Sequence, residues 1–260
     1  MLKGKVAIVT GSTSGIGLGI ARALAAEGVD LMLNGFGDAA EIEKLRAGLA
    51  GEFKVRVLYN GADLSKPGQT KSLVEATISD LGRVDILVNN AGIQHVAPFQ
   101  DFPDEKWEQV IAINLSAAFY SIKAALPDMK KRNWGRIINI ASAHGLVASA
   151  EKVAYVTAKH GLVGMTKVAA LENAQTGITV NAICPGWVLT PLVQKQIDAN
   201  AAREKIDNAT ATKQLLGGKQ PSMQFVTVEQ LGGLAVFLCS DAAANIRGSA
   251  ISIDGGWVAQ

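Results

Sequence analysis

Short apolar runs alternate with longer helix-like stretches along most of the chain. The apolar runs carry hydrophobic residues at successive positions, as is typical of strands covered on both faces. The predicted strands are Val6–Thr10, Val29–Asn34, Val55–Tyr59, Ile86–Val88, Arg136–Ile140, Thr179–Ile183 and Ala250–Ile253. The predicted helices between them are Gly15–Glu27, Ala39–Ala50, Pro67–Leu81, Glu105–Arg132, Ala154–Ala174 and Val228–Ser240. This alternation predicts an α/β fold with one doubly wound, parallel, seven-stranded sheet.

One segment departs from this rhythm. Residues 188–225 are polar and helix-prone, contain Gly217-Gly218, and delay the last helix and strand. Ligands of open α/β sheets bind beyond the carboxyl ends of the strands, so an insertion after Thr179–Ile183 would lie above that crevice. The segment is predicted to be either a mobile lid or a static pair of surface helices. No repeat or linker interrupts the pattern, so we expect a single domain over residues 1–260.

Composition narrows the function classes. Of the 260 residues, 48% are hydrophobic and 18% charged, which is ample for a core. The net charge of +2 gives no reason to expect nucleic acid or a membrane as a partner. The opening MLKGKVAIVT is too short an apolar run for a signal peptide, and no uncharged apolar stretch is long enough to cross a bilayer. Cys184 and Cys239 lie in apolar surroundings and are predicted to be buried thiols. We therefore expect a soluble, cytoplasmic protein.

A glycine-rich turn follows the first strand. Thr10-Gly11-Ser12-Thr13-Ser14-Gly15-Ile16-Gly17 leads at once into a helical pattern. Glycines let the backbone approach a pyrophosphate closely, and a helix N-terminus presents free N–H groups and partial positive charge to it. Strand, glycine turn and helix in this order predict a dinucleotide site on a Rossmann-type sheet.

Tyr155 and Lys159 form the second chemical signal. They are four residues apart on a predicted helix, so they share one face. A phenol ionises near pH 10, and a fixed cation nearby favours the phenolate. We therefore expect Lys159 to lower the pKa of Tyr155, so that the phenol can exchange protons with an alcohol or ketone. Such a pair also occurs by chance on solvated helices.

These motifs together resemble the short-chain dehydrogenase/reductase family. The family's pattern is matched by TGxxxGIG, Asn89-Asn90-Ala91-Gly92, Asn114, Ser142, the Tyr155/Lys159 pair and Pro185-Gly186. The order is the family's own, and the resemblance extends to the terminal Asp254-Gly255-Gly256. It implies a homotetramer with the Glu105–Arg132 and Ala154–Ala174 helices at interfaces and the C-terminal segment in another. The apolar faces of these helices would also fit the core of a monomer.

The resemblance also implies the catalytic roles. Tyr155 would exchange the proton with the substrate oxygen, and Lys159 would support it and hydrogen-bond the nicotinamide ribose. Ser142 would hold the substrate oxygen. Asn114 would anchor a proton-relay water. A polar residue in a long helix is the alternative interpretation of Asn114.

The cofactor residues implied by the resemblance come from loops after several strands. They are Gly11, Thr13, Ser14, Gly15, Ile16, Gly17, Gly35, Phe36, Asp63, Leu64, Asn90, Ala91, Gly92, Tyr155, Lys159, Pro185, Gly186, Val188 and Thr190. Thr190 could equally be a helix N-cap beside Pro191.

The choice between NAD and NADP depends on the end of the second strand. The acidic residue expected there for the ribose 2′-hydroxyl is absent, and the chain has Asn34-Gly35-Phe36 in its place. No arginine or lysine occurs in Ser12–Ser14 or from Asn34 to Ala40 to neutralise a 2′-phosphate, and Asp38 would repel one. We predict NAD, with backbone groups of Gly35 and Phe36 replacing the usual carboxylate.

A further group of residues indicates the substrate. Polar and aromatic side chains cluster in sequence around the catalytic motifs: Gln94, Ser142, His144, Lys152, Tyr155, Trp187, Gln196 and Trp257. The resemblance implies that the two glutamines, His144 and Lys152 hold a carboxylate while the tryptophans shape the pocket. Lysine and amide groups suit a small carboxylate better than a bulky apolar substrate. The predicted substrate is a small hydroxy acid, and we predict no metal site. Taken singly, each residue could be a solvated, capped or packing side chain.

Two alternatives are a 3-oxoacyl reductase that uses NADP and a cofactor-binding module without catalysis. The reductase would need a basic residue near the 2′-phosphate and an open groove. The module would not need the intact set Asn114, Ser142, Tyr155 and Lys159.

Overall fold

The computed structural model describes residues 2–259, apart from the side chain of Leu192. Seven strands form one sheet in the order β3-β2-β1-β4-β5-β6-β7, and every neighbouring pair is parallel. The strands are β1 Val6–Val9, β2 Asp30–Asn34, β3 Val57–Asn60, β4 Ile86–Asn89, β5 Gly135–Ile140, β6 Ile178–Pro185 and β7 Ala250–Ile253. The order reverses between β1 and β4, which places a crevice at the carboxyl ends of these strands.

Within residues 2–259, nine α-helices accompany the sheet. They are α1 Gly15–Ala26, α2 Ala39–Phe53, α3 Pro67–Leu81, α4 Asp104–Ile111, α5 Ala117–Arg132, α6 Val153–Glu172, α7 Pro191–Glu204, α8 Asn208–Gly217 and α9 Val228–Cys239. A π-helical turn, Ala112–Ser116, joins α4 to α5. The predicted fold class is therefore confirmed, since a seven-stranded parallel sheet carries helices along the chain in βαβ order.

The clearest differences from prediction concern the third strand and the long fourth helix. The third strand begins at Val57 rather than at Val55. The predicted Glu105–Arg132 helix is continuous in space but contains the π-helical turn. A side-chain pattern does not reveal a change of backbone hydrogen bonding from i−4 to i−5, so the sequence could not show it. Residues 188–225 form α7 and α8, in agreement with their helix-prone composition.

Alternation along β1 shows why the strands are hydrophobic at successive positions. Ala7 and Val9 face one apolar cluster, which includes Leu24 of α1 and Leu231 of α9. Val6 and Ile8 face a second cluster on the other side of the sheet. Both faces are buried, so each strand position must be apolar.

Helix α1 packs closely on α9. A Cβ at Gly19 would lie 2.6 Å from Cβ of Val228, and a Cβ at Gly232 would lie 2.7 Å from Cβ of Ala23. Two glycines thus allow the helix that follows the glycine-rich turn to approach its neighbour closely, which fixes its N-terminus at the crevice.

An ion cluster lies at the amino-terminal edge of the sheet, opposite the crevice. The side chain of Asp85 is fully buried, and its carboxylate accepts from the backbone N–H of Val6 at 3.0 Å. Its Oδ1 lies 2.6 Å from Arg83, 3.6 Å from Arg132 and 3.9 Å from Lys5. One buried carboxylate is therefore shared by three cations.

The helix that runs from α4 through the π-helical turn to α5 is long and apolar. Asp104–Arg132 is long and apolar enough to cross a bilayer by length and composition alone, with a mean hydropathy of 1.4 over an 18-residue window. In this fold its α5 part packs against α3, β4 and β5. Core helices of globular proteins commonly pass the same test, so the property is explained by packing on the sheet.

Candidate active site

The glycine turn after β1 forms the wall of a cleft at the carboxyl edge. Gly11 and Gly15 have φ of +63° and +55°, which glycine adopts readily. A Cβ at Gly17 would overlap the carbonyl oxygen of Gly11. Ser14 makes no side-chain cap to α1, and Gly15 and Ile16 line the cleft. The first N–H groups of α1 are therefore available to an anion there.

Side chains join the glycine turn to the loop after β4. Thr10 Oγ1 accepts from the backbone N–H groups of Asn90 and Ala91 at 2.9 and 3.0 Å. Asn90 Nδ2 donates to the carbonyls of Thr10 and Gly11 at 2.8 and 3.1 Å. These bonds hold the two loops in register at the point where the strand order reverses.

Asn34 ends β2, where an acidic residue was expected. It is buried, and its Nδ2 donates to the carbonyls of Asn60 and Ala62 at 3.0 Å each. The carbonyl of Gly35 accepts from Tyr59 Oη at 2.7 Å, and that of Phe36 accepts from Thr13 Oγ1 at 3.1 Å. The backbone of Gly35 and Phe36 is therefore fixed by neighbours, as a role for backbone groups requires.

The next wall of the cleft comes from the loop after β3. Asp63 Oδ1 accepts from the N–H and hydroxyl of Ser65 at 3.0 and 2.7 Å, and these hydrogen bonds lower the pKa of its carboxyl. Leu64 is buried beside it.

These loops enclose one elongated cleft of about 420 Å³. Among the predicted cofactor residues, Gly17 and Val188 are buried and do not line it; the others do. Thr190 has both of its proposed properties: it lines the cleft, and its Oγ1 accepts from the N–H of Val193 at 3.3 Å as the N-cap of α7.

Asn114 lies in the π-helical turn. Its Oδ1 accepts from the N–H of Ile93 at 2.9 Å, and its Nδ2 donates to the carbonyl of Ile93 at 2.9 Å. The side chain is buried, and both of its polar atoms are hydrogen-bonded to the backbone of Ile93. Ile93, which our sequence reasoning missed, is therefore the partner that holds this turn against the loop after β4.

Ser142, Tyr155 and Lys159 all line the cleft. Lys159 is buried, and its Nζ donates to the carbonyl of Ile140 at 2.7 Å. The same Nζ lies 5.5 Å from the centroid of the Tyr155 ring. Ser142 follows β5, and its hydroxyl accepts from the N–H of His144 at 3.1 Å. The three side chains predicted from the motifs are thus brought together.

The predicted pKa shift of Tyr155 is wrong in sign. Burial of the phenol raises its pKa, and a hydrogen bond with Ser142 opposes that shift only in part. Burial also lowers the pKa of the Lys159 ammonium to about 8. The spacing of the two residues along the chain indicates the charge of Lys159 but not the loss of water around both groups, and this desolvation dominates here.

His144 lies between the catalytic tyrosine and the C-terminal segment. Its ring packs edge-on against Tyr155 and Trp257, with centroids 5.9 and 5.0 Å apart, and its Nε2 lies 2.9 Å from Ser149 Oγ. Burial, followed by the charges of Lys152 and Lys219, lowers its pKa to about 4. The imidazole is therefore neutral at neutral pH.

Two tryptophans stack on each other next to His144; like His144 and Lys152, they pack beside the cleft and are not among the residues that line it. The rings of Trp187 and Trp257 stack with centroids 5.8 Å apart and 30° between their planes. Lys152 Nζ lies 5.2 Å from the Trp187 ring centroid. Burial lowers the pKa of Lys152, and the charge of Lys219 adds to that shift. We call Trp187, Trp257, His144 and Lys152 the aromatic end of the site.

The two predicted glutamines differ in position. Gln94 lines the cleft, whereas Gln196 is half-buried on α7 and does not. Sequence reasoning missed Lys219 and Gln220, which follow α8. The only signal was a polar pair after Gly217-Gly218, and such pairs are common in surface loops.

The cleft has the features that a nicotinamide dinucleotide needs. It offers an uncapped helix N-terminus for the pyrophosphate, a glycine cradle that a Cβ at Gly17 would obstruct, and a tyrosine with a buried cation at the other end. Among residues 2–259, no group of three or more His, Cys, Asp or Glu side chains is placed to hold a metal ion.

Comparisons with known proteins agree with this geometry. The family model of the short chain dehydrogenases matches residues 5–201. The chain is 61% identical to a D-beta-hydroxybutyrate dehydrogenase of Cupriavidus necator, over all of both chains. It is 52% identical to a protein of the same name from Rhizobium meliloti, covering 98% of this chain and 99% of that one.

A solved structure shows the same architecture. The L-sorbose reductase of Gluconobacter frateurii, complexed with NADPH and L-sorbose, superposes with a TM-score of 0.94. It is 33% identical over 99% of this chain and 98% of its own. Fold, motif placement and sequence identity therefore agree: this chain belongs to the short-chain dehydrogenase family and is an oxidoreductase that binds NAD or NADP.

Proposed function

We propose that this chain is an NAD-dependent (R)-3-hydroxybutyrate dehydrogenase, which oxidises (R)-3-hydroxybutyrate to acetoacetate and catalyses the reverse reduction. The observation that carries the proposal is the aromatic end of the site. There the cation of Lys152 lies beside Trp187 and has no ion-pair partner among residues 2–259. A short acid would supply the missing carboxylate. Relatives that share 61% and 52% of the sequence carry the corresponding name.

In this mechanism Ser142 holds the substrate oxygen, and Tyr155 takes a proton from the hydroxyl in oxidation or returns it to the ketone in reduction. When bound, the nicotinamide accepts or supplies the hydride. Because burial raises the pKa of Tyr155, its phenol is protonated at neutral pH and ready to act as the acid. Oxidation, which needs the phenolate, is expected to accelerate as the pH rises.

Lys159 orients the catalytic residues and forms part of the proton path. Its Nζ has one hydrogen bond, to Ile140, and its remaining donors are available to Tyr155 and to a ribose. The side chain of Asn114 is fully engaged by Ile93. A relay water would therefore be held by the main chain of Asn114 rather than by its amide.

The substrate's carboxylate end would lie against Lys152, with Gln94, His144 and Gln196 as further polar contacts. Neutral His144 can contribute a hydrogen bond but no charge. Trp187 and Trp257 would bound the space for the acyl chain, because their rings stack on each other next to His144.

The preference for NAD is supported by the charges along the cleft. Lys159 is the one cation and Asp63 the one carboxylate among the described residues that line it. Lys159 lies at the catalytic end, so no lining cation is available for a 2′-phosphate beside Gly35 and Phe36. Asp38 caps α2 through its Oδ1, which places a further negative charge next to that loop.

We also propose that α7 and α8 act as a lid and that the protein forms a homotetramer in the cytoplasm. The two helices pack around an apolar cluster of their own, formed by Val193, Ile197, Ala201 and Ala211.

The proposed tetramer is supported by exposed apolar side chains on two helices. Phe119 on α5 and Val168 and Leu171 on α6 expose 47%, 56% and 77% of their surface. Light scattering on the purified protein tests the assembly.

A substrate panel tests the main proposal. Short 3-hydroxy acids of both hands would be assayed with NAD and with NADP. Activity on (R)-3-hydroxybutyrate with NAD, and none on the (S) form, is the expected result. A strong preference for NADP, or inactivity across the panel, would contradict it. Activity on 3-oxoacyl thioesters would support the alternative reductase.

A further inference from the structure

The two tryptophans of the aromatic end lie on separate loops. Trp187 follows β6, and Trp257 follows β7 in the C-terminal turn. Their indoles stack, Lys152 contacts one, and His144 contacts the other. The position of these groups therefore depends on how the two loops are held relative to each other.

A buried glutamine lies where these loops meet. Gln220 is fully buried, and its Oε1 accepts from the backbone N–H of Trp187 at 2.7 Å. Its Nε2 donates to the carbonyl of Gln224. One partner can only donate and the other can only accept, so a carboxamide is the side chain that satisfies both.

The surrounding backbone shows how tightly the junction is packed. A Cβ at Gly186 would overlap Oε1 of Gln220 and would lie 2.8 Å from Cα of Asp254. A Cβ at Gly255 would lie 2.7 Å from Cγ of Gln220. Glycines on both loops thus leave room for this one side chain.

The same junction joins the helical insertion to the site. Gln220 follows α8, and its backbone N–H donates to Leu216 at 2.6 Å. The carbonyl of Trp187 accepts from the N–H of Val226 at 2.9 Å, and Val188 pairs with Val226 in a short bridge. The insertion leaves the sheet beside Trp187 and returns beside it, and Gln220 connects the two ends.

We infer that Gln220 is a positioning residue for substrate binding. It holds the backbone of Trp187, and through the indole pair it sets the places of Lys152 and His144. Gln220 does not line the cleft, so we expect it to contact neither substrate nor cofactor. This inference rests on the proposed function for its substrate, but the arrangement of the tryptophans can be measured without one.

Kinetics of two variants provide the first test. Gln220→Met keeps the length of the side chain and removes both hydrogen bonds; it should raise KM for (R)-3-hydroxybutyrate about tenfold and leave KM for NAD within about twofold. Gln220→Glu can satisfy both partners as the neutral carboxylic acid, which burial favours: one oxygen accepts from Trp187 and the hydroxyl donates to the carbonyl of Gln224. In that form it should stay within about threefold of the wild type. Gln214→Met, an exposed glutamine on α8, is the matched control and should behave as wild type. Equal increases in both KM values would overturn the inference.

A double-mutant cycle separates positioning from general stabilisation. If Gln220 acts through Trp187, Gln220→Met should add no more than about twofold to KM in a Trp187→Ala background. A further tenfold increase there would show that Gln220 acts elsewhere.

Near-ultraviolet circular dichroism gives a readout independent of catalysis. The stacked indoles of Trp187 and Trp257 should produce a near-ultraviolet signal that Trp187→Ala removes. Gln220→Met should reduce it, while Gln214→Met and Gln220→Glu should not. If (R)-3-hydroxybutyrate is not a substrate, the proposed function fails but this measurement still decides the inference. An unchanged spectrum in a folded Gln220→Met would overturn it, and if that variant does not fold, a reduced signal in Gln220→Glu would do so.

Discussion

The two edges of the sheet both bury charge, but they treat it differently. At the amino-terminal edge, Asp85 is surrounded by Lys5, Arg83 and Arg132 within 3.9 Å. At the carboxyl edge, Lys152 and Lys159 have no ion-pair partner among residues 2–259. Lys159 is buried and Lys152 half-buried, and burial lowers the pKa of each.

The difference separates a structural cluster from a functional one. A buried charge is costly unless a partner compensates it. At the amino-terminal edge the carboxylate and the cations compensate one another, so this cluster stabilises the fold and needs no ligand. At the carboxyl edge the compensation is missing, as expected where a ligand supplies it. Substitutions at the first edge should therefore affect folding, and those at the second should affect catalysis.

The largest effect is expected at the carboxyl edge, from Tyr155→Phe. Removing the phenol oxygen removes proton exchange and should lower kcat about 10³-fold. Affinity for NADH, measured by fluorescence titration, should change little, because the ring remains. A kcat within tenfold of the wild type would refute the acid/base role.

Asp85→Asn tests the opposite edge. Three cations would lose their common carboxylate, and the free energy of unfolding should fall by about 3–5 kcal/mol. Urea denaturation measures this, with Asp80→Asn, an exposed residue on α3, as the control. The folded variant should keep its kcat/KM. A large loss of kcat/KM without loss of stability would contradict the conclusion that the amino-terminal edge serves folding rather than catalysis.

His144 should make stability depend on pH. Its folded pKa of about 4 lies below its value in the unfolded chain, near 6.5, so the unfolded state binds more protons between these values. Stability is thus fully present above pH 6.5 and is lost as the pH falls toward 4, by about 3 kcal/mol in total. His144→Gln should remove this component of the pH dependence, whereas His160→Gln, at an exposed site, should not. Identical pH profiles for His144→Gln and the wild type would contradict the assignment.

The smallest of these effects is expected from Lys152→Met. Loss of a charged hydrogen bond to a carboxylate should raise KM for (R)-3-hydroxybutyrate by roughly 10–100-fold, with KM for NAD unchanged. Lys195→Met, on the exposed face of α7, serves as the control. If both KM values rise together, Lys152 is part of the scaffold and the carboxylate lies elsewhere.

Local patterns of the sequence were sufficient for much of the site. Apolar runs located the seven strands because both faces of a parallel sheet are buried. The glycine turn and the Tyr155/Lys159 spacing located the cleft, since each depends on residues close together in the chain. The same reasoning gave the wrong sign for the pKa of Tyr155, because spacing reports a neighbouring charge but not the water removed around it.

The sequence by itself determined which elements form and which side chains stand at the carboxyl ends of the strands, because backbone preference and hydrophobic period act over a few residues. Only the tertiary structure decided which carbonyls the side-chain amides of Asn34 and Asn114 bind and where the π-helical turn lies. It also decided that Gln220 hydrogen-bonds to Trp187, 33 residues away in the chain. Those features depend on hydrogen bonds and desolvation between segments far apart in sequence, and no local pattern specifies them.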